Sequence, residues 1–250
     1  MGKTHVHIHP DFASYAEFIH AVPAHEYPVD LVFCNQRNVV ELTHIGNTQL
    51  VVKKYRTPIW VNRIAYTFFR KSKAQRAYEN AQLLSDLDIH TATPVAYIIQ
   101  ESGGLIRETW FISLYIPHVP LINFCQDPEN RDQLDALWKE LGQFMLHAHL
   151  NGIFFPDNNG GNILVSQTPQ GLRLSVVDIN RLRRGKVPSL EEAMQSFEQL
   201  GLDEYTLLSP LSYYAQARQF DWERCIQQLA RHRKSHNRQL TLKRLLHPSV

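Results

Sequence analysis

Apolar and polar residues alternate in several segments of the first half of the chain, a pattern typical of half-buried β-strands. The β-branched segment Gln49–Tyr55 predicts one strand. Pro94–Ile99 and Trp110–Ile116, on either side of a Glu-Ser-Gly-Gly turn, predict a hairpin. One helix is expected between these strands, at Ser72–Leu87, where a serine provides the N-terminal cap. The first half is therefore predicted to consist of short strands with one helix among them.

The second half of the chain has the apolar spacing of helices. A long helix is predicted to end near Asn151-Gly152, and Ile163–Ser166 and Leu172–Val177 predict a small hairpin after it. Everything after Pro188 is expected to be helical. The two halves together predict an α+β fold with a β-rich N-terminal part and a mostly helical C-terminal part. The face of the long helix consists of Leu134, Leu137, Trp138, Leu141, Phe144 and Met145.

The composition is that of an ordinary globular protein, with 250 residues of which 44% are hydrophobic. It excludes a disordered chain, a collagen and a coiled coil. A chain of this length forms one large domain or two lobes that share a cleft. The longest apolar stretch, Trp110–Ile122, is interrupted by two prolines and is shorter than the roughly 20 residues of a membrane helix. Because no secretion signal is recognisable either, we expect a cytoplasmic protein that does not span a bilayer.

Cysteine usage agrees with this compartment. Cys34, Cys125 and Cys225 are odd in number, far apart and without a CxxC pair. We therefore expect three buried, reduced thiols.

Basic residues are concentrated in two runs, although the 26 Lys and Arg nearly balance the 24 Asp and Glu. Eight lie between Lys53 and Arg76 and six between Arg231 and Arg244, in both cases without an acid. Such runs are either solvated helix faces or surfaces that meet nucleotide, nucleic acid or an anionic membrane. The second run lacks the interleaved aromatic residues of a single-strand nucleic-acid platform. We favour a basic amphipathic helix that touches anionic headgroups.

A candidate catalytic centre follows the long helix. Asp157 lies in a loop, Asn162 follows five residues later at the start of an apolar strand, and Asp178 ends the next apolar strand. This spacing is that of the catalytic half of a kinase, in which the first Asp reaches the acceptor hydroxyl and the other two residues converge on Mg²⁺. A hairpin would put Asn162 and Asp178 side by side, and amide and carboxylate oxygens suit Mg²⁺.

The matching nucleotide half lies upstream. Lys53 occupies the strand where a kinase has its phosphate-binding lysine, with Lys54 as the competing choice. Glu79 is the only carboxylate between Arg70 and Ser85, and we expect it to hold Lys53 in place. A single strand Lys or helix Glu is ordinarily a surface residue. The ordered set of strand Lys, helix Glu, hairpin, long helix, D-x4-N and final Asp is what indicates function.

Three alternating histidines, His5, His7 and His9, would share one face of a strand and are candidate metal ligands. No nearby acid or cysteine completes a metal site in the sequence. We interpret them as a solvated strand face.

The chain resembles the lipopolysaccharide core kinases, the Kdo and heptose kinases of Gram-negative bacteria, which share a bilobal protein-kinase-like fold. The similarity spans residues 30–190. It lies in the segments Arg37-Asn-Val-Val, Leu50–Arg56, Ile64–Ala74, Thr93–Tyr97, Asp157–Leu164 and Val177–Arg181.

This resemblance implies an N-lobe at residues 1–117 that covers the nucleotide and a C-lobe at residues 118–250 that holds the catalytic loop, the metal site and the acceptor. The cofactors implied are ATP and Mg²⁺. Asp157 is implied as the catalytic base, Asn162 and Asp178 as metal ligands, Lys53 as the phosphate contact and Glu79 as its ion-pair partner.

The reaction implied is transfer of the γ-phosphoryl group of ATP to a sugar hydroxyl, of Kdo or heptose, in the lipid A–core glycolipid. It would take place at the cytoplasmic face of the inner membrane, with peripheral contact to anionic lipid. No nucleic acid is implied as a ligand, and no protein partner can be inferred.

Several positions depart from the kinase pattern. Phe155 lies where such kinases have a His two residues before the catalytic Asp, and only Gly46 lies in the turn expected to be glycine-rich. Asp178 is followed by Ile-Asn instead of Phe-Gly, and no Ala-Pro-Glu follows, which argues against a protein kinase. Asn158–Gly161 predicts a flexible catalytic loop. A nucleotide-binding pseudokinase and a soluble small-molecule phosphotransferase are the alternatives.

Overall fold

The computed structural model of the chain describes residues 2–36, 38–57, 66–67, 70–157 and 159–246. The chain divides into two compact units, the first formed by Met1–Pro117 with Asp178–Arg181 and the second by His118–Val177 with Leu182–Val250. The first unit is built on an antiparallel sheet and the second is mostly helical, so the α+β prediction is confirmed. Parts of the segments singled out in the sequence lie outside the described residues: Arg37, Ile64, Ala65, Phe68, Phe69 and Asn158.

A six-stranded antiparallel sheet forms the first unit, with strands in the spatial order β1-β5-β6-β4-β3-β2. The predicted strand at Gln49–Tyr55 and the predicted hairpin are both confirmed, although β5 continues through Ser102 and the turn contains only Gly103 and Gly104. Both glycines have positive φ, as a two-residue hairpin turn of this kind requires. The strands are β1 (Lys3–Ile8), β2 (Leu31–Asn35), β3 (Asn38–Ile45), β4 (Thr48–Tyr55), β5 (Pro94–Ser102) and β6 (Leu105–Leu114).

Within the described part of the chain two helices pack on this sheet, whereas the sequence predicted one. The predicted helix is α2 (Lys73–Asp86), which starts after Ser72, whose Oγ accepts a hydrogen bond from the Gln75 N–H at 3.1 Å. Helix α1 (Ala16–Ala21) was not predicted, because six residues are too few for a clear helical period. Its Ile19 packs into the core formed by one face of the sheet.

The second unit contains helices α3 (Leu121–Gln126), α4 (Leu134–Leu150), α5 (Leu190–Glu198), α6 (Glu204–Ala217) and α7 (Trp222–Leu246). The long helix, the hairpin and the helical C-terminal part are confirmed. Short 3₁₀ turns lie at Pro10–Tyr15 and Val22–Ala24 in the first unit, at Pro128–Gln133 in the second, and at Ile179–Arg181. The small strands are β7 (Val119–Pro120), β8 (Ile153–Phe154), β9 (Ile163–Thr168), β10 (Gly171–Val176) and β11 (Arg183–Arg184).

Helix α4 is the centre of the second unit. Leu137, Leu141 and Met145 on its apolar face are completely buried. Gly142 brings α4 close to α6, because a Cβ at this position would lie 2.6 Å from the main-chain oxygen of Pro210. The absence of a side chain at Gly142 therefore lets the two helices pack together.

The cysteines differ from the sequence prediction. All three are free, but only Cys225 is buried. Cys34 is partly exposed because β2 is at the edge of the sheet, and Cys125 because it lies near the end of the short helix α3. Among the residues that the structure describes, no helix is both long enough and apolar enough to cross a bilayer.

Candidate active site

Strand β4 carries Lys53 on the face opposite to the core face. Side chains alternate along a strand, so Leu50 and Val52 enter the core while Lys53 lies on the other face with Tyr55. The Lys53 Nζ donates a hydrogen bond to the Asp178 Oδ1 at 2.7 Å and lies 5.4 Å from the centre of the Tyr55 ring. The structure thus joins two residues that are far apart in the sequence and that were both selected as site residues.

Lys54, the competing lysine, has different partners. Its Nζ lies 2.9 Å from the Glu108 Oε1 and 5.4 Å from the centre of the Trp110 ring. Strand alternation therefore directs Lys54 away from Asp178, and Lys53 is the lysine that reaches the candidate metal ligand.

The structure does not bring Lys53 and Glu79 together. The Glu79 carboxylate accepts hydrogen bonds from the Lys71 Nζ at 2.7 Å and from the Gln75 Nε2 at 3.1 Å. The pair expected from the sequence is therefore replaced by two others, Lys53 with Asp178 and Lys71 with Glu79. Because Lys71 and Glu79 are both partly exposed, their pair contributes only about 0–1 kcal/mol to stability.

Asp178 lies at a turn with unusual backbone geometry. Its φ of 56° is in the left-handed region, which few residues other than glycine adopt without strain. The 3₁₀ turn at Ile179–Arg181 follows directly, and the Asn80 Nδ2 of α2 donates to the Ile179 main-chain oxygen at 2.7 Å. The Asn180 Nδ2 donates to the Asp178 Oδ1, also at 2.7 Å. The turn is thus fixed both by α2 and by its own side chains.

The charge of Asp178 follows from these neighbours. Burial on its own would raise the pKa of the Asp178 carboxyl. The pKa is nevertheless below its usual value, because three neighbours outweigh burial. The largest of these three effects is that of Lys53, through its charge and its hydrogen bond, followed by the hydrogen bond of Asn180 and the charge of Arg181. Asp178 is therefore ionised at neutral pH, as a metal ligand must be.

In the second unit, Asp157 and Asn162 are joined through the main chain. The Asn162 Nδ2 and the Asn159 N–H both donate to the Asp157 main-chain oxygen, at 2.9 and 2.8 Å. The hydrogen bond from Asn162 uses the nitrogen of its side-chain amide, so the amide oxygen, a hard ligand, is left for other partners. The loop thus fixes the spacing between the candidate base and the candidate metal ligand.

The β9–β10 hairpin sets the position of the segment before Asp178. Ile163 pairs with Val176, and the Val177 N–H donates to the Asn162 main-chain oxygen at 2.9 Å. The predicted hairpin is confirmed, with only Pro169 and Gln170 between its paired strands. Asn162 is therefore bonded to the residue that directly precedes Asp178.

Gly160, in the candidate catalytic loop, is hydrogen-bonded through both its main-chain N–H and its main-chain oxygen. The Gly160 N–H donates to the Leu200 main-chain oxygen at 2.9 Å, and the Gly160 oxygen accepts from the Ile122 N–H at 3.3 Å. A Cβ at Gly160 would lie 3.0 Å from the Leu200 oxygen. Close packing thus accounts for this glycine, whereas the flexibility expected of the loop stays a prediction.

Phe155, which replaces the usual His, belongs to a stack of aromatic rings. Its ring is parallel to that of Phe144 in α4, with centres 6.2 Å apart, and the side chain is buried. The neighbouring Phe154 stacks in the same way on His149. Apolar stacking therefore connects the candidate catalytic loop to α4 at the position where the kinase pattern has a His.

His149 anchors a buried polar network in this unit. Its Nδ1 is hydrogen-bonded to the Tyr214 Oη at 2.8 Å, and Tyr214 accepts a hydrogen bond from the Arg218 Nη1 at 2.6 Å. Burial, and after it the charge of Arg218, lower the pKa of His149 to about 4, although Glu192 acts in the opposite direction. His149 is therefore neutral at physiological pH.

The alternating histidines have separate surroundings. His5 and His7 lie on the exposed side of β1, where His7 stacks on Tyr97, and the His9 Nδ1 accepts a hydrogen bond from the Asp11 N–H. In the described ranges of the chain, no three or more His, Cys, Asp or Glu residues are grouped as a metal site.

Three polar residues of this region were not predicted from the sequence as site residues: Asn80, Asn180 and Lys71. The amide of Asn180, two residues after a candidate metal ligand, is a signal that sequence could have used. Asn80 and Lys71 could not be recognised in this way, because their contacts depend on how α2 lies against the turn and on side-chain geometry.

The chain matches the family model described as the lipopolysaccharide kinase (Kdo/WaaP) family over residues 31–227. Its fold is similar to that of WaaP in a complex of WaaP with acyl carrier protein, with a TM-score of 0.61, 17% sequence identity, and coverage of 92% of this chain and 98% of that chain. It is also similar to that of an aminoglycoside-3'-phosphotransferase of type VIII, with a TM-score of 0.58, 11% identity, and coverage of 90% and 98%. At these identities the two structures support a kinase-like fold alone. No curated protein sequence is significantly similar to the chain.

Proposed function

The chain belongs to the lipopolysaccharide kinase (Kdo/WaaP) family, and on this premise we propose that it transfers the γ-phosphoryl group of ATP to a sugar hydroxyl, of Kdo or heptose, in the lipopolysaccharide core. The observation that carries the proposal is the hydrogen-bonded ion pair of Lys53 and Asp178. A phosphotransferase needs a cation for the phosphates and a carboxylate for a metal in one place.

Asp157 is the proposed catalytic base. It would orient the acceptor hydroxyl and take its proton as the oxygen attacks phosphorus. The hydrogen bonds that Asn159 and Asn162 donate to its main-chain oxygen support this role, since they fix the backbone from which the carboxylate projects.

The residues present fit a divalent metal. Asp178 supplies an ionised carboxylate and Asn162 an amide oxygen, which are the hard ligands that Mg²⁺ accepts together with water and phosphate oxygens. Such an ion would neutralise charge on the phosphates. Lys53 would exchange its bond to Asp178 for one to a phosphate oxygen, and Glu79 is the candidate to support Lys53 after that exchange.

The acceptor is tested by transfer of labelled γ-phosphate from ATP, with Mg²⁺, to purified lipid A–core and in parallel to free Kdo and to an aminoglycoside. We expect label on the glycolipid. Label on the aminoglycoside alone would favour the soluble phosphotransferase, and nucleotide binding without any transfer would favour the pseudokinase. Because one similar structure is a complex of WaaP with acyl carrier protein, each reaction is run with and without that carrier.

Helix α7 supports peripheral contact with an anionic membrane. Arg231, Lys234 and Arg238 are exposed and follow the spacing of one helix face, whereas Cys225 and Leu229 are buried. Near an anionic membrane surface each such charge contributes about 1 kcal/mol to the free energy of binding. Cosedimentation with vesicles tests this contact. We expect salt-sensitive binding to anionic vesicles, and we expect this binding to be lost when the three residues are changed to Gln. Equal binding to neutral and anionic vesicles would contradict an electrostatic contact.

A further inference from the structure

Asn180 has surroundings that the stability of the fold does not explain. Its side chain is buried, with 6% of its surface exposed, and its Nδ2 donates to the Asp178 Oδ1 at 2.7 Å. Its own Oδ1 is buried and has no hydrogen-bond partner among the described residues. An unpaired buried amide oxygen is destabilising, so an apolar residue of similar size would suit this position at least as well if packing alone decided it.

Two donors meet on one oxygen of Asp178. The Lys53 Nζ and the Asn180 Nδ2 each lie 2.7 Å from the Asp178 Oδ1. The same rotation of the carboxylate therefore satisfies both donors. In that rotation Oδ2 is the oxygen that neither donor occupies.

The backbone adds a second constraint on this carboxylate. Asp178 has a φ of 56°, and the main-chain oxygen of the next residue, Ile179, is bonded to Asn80. The main chain is thus held by α2, but a held main chain still allows the carboxylate to rotate. Asn180 restricts that rotation from within the turn.

We propose that Asn180 is a positioning residue that holds the Asp178 carboxylate in the orientation for metal binding. This inference depends on the function proposed above. Its reason is the shared oxygen: when Lys53 turns to a phosphate, Asn180 is the donor of the two that stays on Oδ1. Asn180 then keeps Oδ2 directed toward the metal in the nucleotide-bound state, in which the metal is needed.

Binding of Mn²⁺ in the presence of a non-hydrolysable ATP analogue, measured by electron paramagnetic resonance, tests the proposal without any acceptor. Asn180→Leu keeps the number of side-chain heavy atoms and the branch at Cγ but removes both the donor and the unpaired oxygen. We expect Mn²⁺ affinity to fall about 10- to 100-fold, as is common for residues that orient a metal ligand, while the melting temperature does not fall. Nucleotide binding without metal should be unchanged.

Asn130→Leu is the matched control. The Asn130 Nδ2 donates to the Phe124 main-chain oxygen at 3.2 Å, in the helical unit, and Mn²⁺ affinity should be unchanged by its loss. If Asn180→Leu does not fold, Asn180→Ser and Asn180→Ala are compared in its place. Because the serine hydroxyl is a shorter donor, Asn180→Ser should weaken Mn²⁺ binding less than Asn180→Ala.

Two results would overturn the inference. Mn²⁺ affinity of the Asn180 variants within about threefold of the wild type would show that Asn180 does not orient the ligand. In that case a lowered melting temperature would assign Asn180 to the fold only. A wild-type protein that binds no Mn²⁺ with nucleotide would overturn both this inference and the proposed function, whereas equal binding by wild type and variants would overturn the inference alone.

Discussion

The Lys53 Nζ donates to the Asp178 Oδ1 at 2.7 Å across 125 residues of sequence. Only 15% of the Lys53 side chain and 33% of the Asp178 side chain are exposed, so the pair is partly shielded from water. A partly buried pair of opposite charges is costly to break by removing one partner. In a phosphotransferase the same two groups are ready for a triphosphate and a metal, which compensate both charges when they bind.

The first prediction separates the two adjacent lysines. Lys53→Met should lower kcat/KM for ATP about 100-fold, because it removes a cation from the developing charge on the phosphates. Lys54→Met is the matched control, since Lys54 pairs with Glu108 on the other face of β4. Steady-state kinetics with varied ATP measure both effects. Equal losses in the two variants would contradict the assignment of Lys53.

The second prediction concerns the charge of Asp178. Asp178→Asn keeps the shape of the side chain but removes the charge that binds the metal. Affinity for nucleotide in the presence of Mg²⁺ should fall at least about tenfold, whereas affinity in the presence of a chelator should stay the same. Calorimetric titration under the two conditions checks this. A loss of the same size with chelator would mean that Asp178 acts on the fold and not on a metal.

Local pattern predicted most of the elements that carry the site. Gly103-Gly104 identified the β5–β6 hairpin, and the apolar period identified α4, because both signals are contained in neighbouring residues. Helix α1 escaped prediction because it is only six residues long. Strand alternation indicated the face of Lys53 but not its partner.

The partners of the site residues depend on tertiary geometry. Glu79 was matched with Lys53 because it is the only carboxylate between Arg70 and Ser85, but in the folded chain its carboxylate accepts hydrogen bonds from Lys71. Asn180 attracted attention only as a departure from Phe-Gly, since its hydrogen bond to Asp178 requires the left-handed turn that brings the side chain back. The pattern of residues along the sequence does not show which of two lysines reaches a carboxylate, and it does not show this turn.

The third prediction concerns the aromatic stack that replaces a polar brace. Phe155→Ala should lower the free energy of unfolding by about 3–5 kcal/mol, because it leaves a cavity beside Phe144. Phe155→His should also be less stable than the wild type, since it places polar ring nitrogens in an apolar setting. Urea unfolding measures both variants. Equal free energies of unfolding for Phe155→Ala and the wild type would contradict the packing role of this ring.

The fourth prediction follows from the lowered pKa of His149. The folded protein holds His149 neutral down to a pKa of about 4, whereas the unfolded chain takes up the proton at its ordinary value of 6.5. The stability associated with His149 is therefore complete above pH 6.5 and is lost as the pH falls toward 4. The loss should reach about 3 kcal/mol by pH 4.

Urea unfolding at pH 7 and pH 4 tests this assignment with His149→Gln as the comparison. The variant should lose less stability than the wild type over that interval, since it has no imidazole to protonate. The charged groups that influence His149 through space, Arg218 and Glu192, are unchanged in it. Parallel stability curves for the two proteins would show that other groups cause the acid sensitivity.

The central claim is that Asp157 is the base of a phosphotransferase, and one comparison tests it most directly. Transfer of labelled γ-phosphate from ATP to lipid A–core is measured for the wild type and for Asp157→Asn, with nucleotide affinity determined on the same samples. We predict that transfer falls about 100- to 10,000-fold in Asp157→Asn, while nucleotide affinity changes by less than about threefold. Equal transfer by the two proteins would contradict the mechanism.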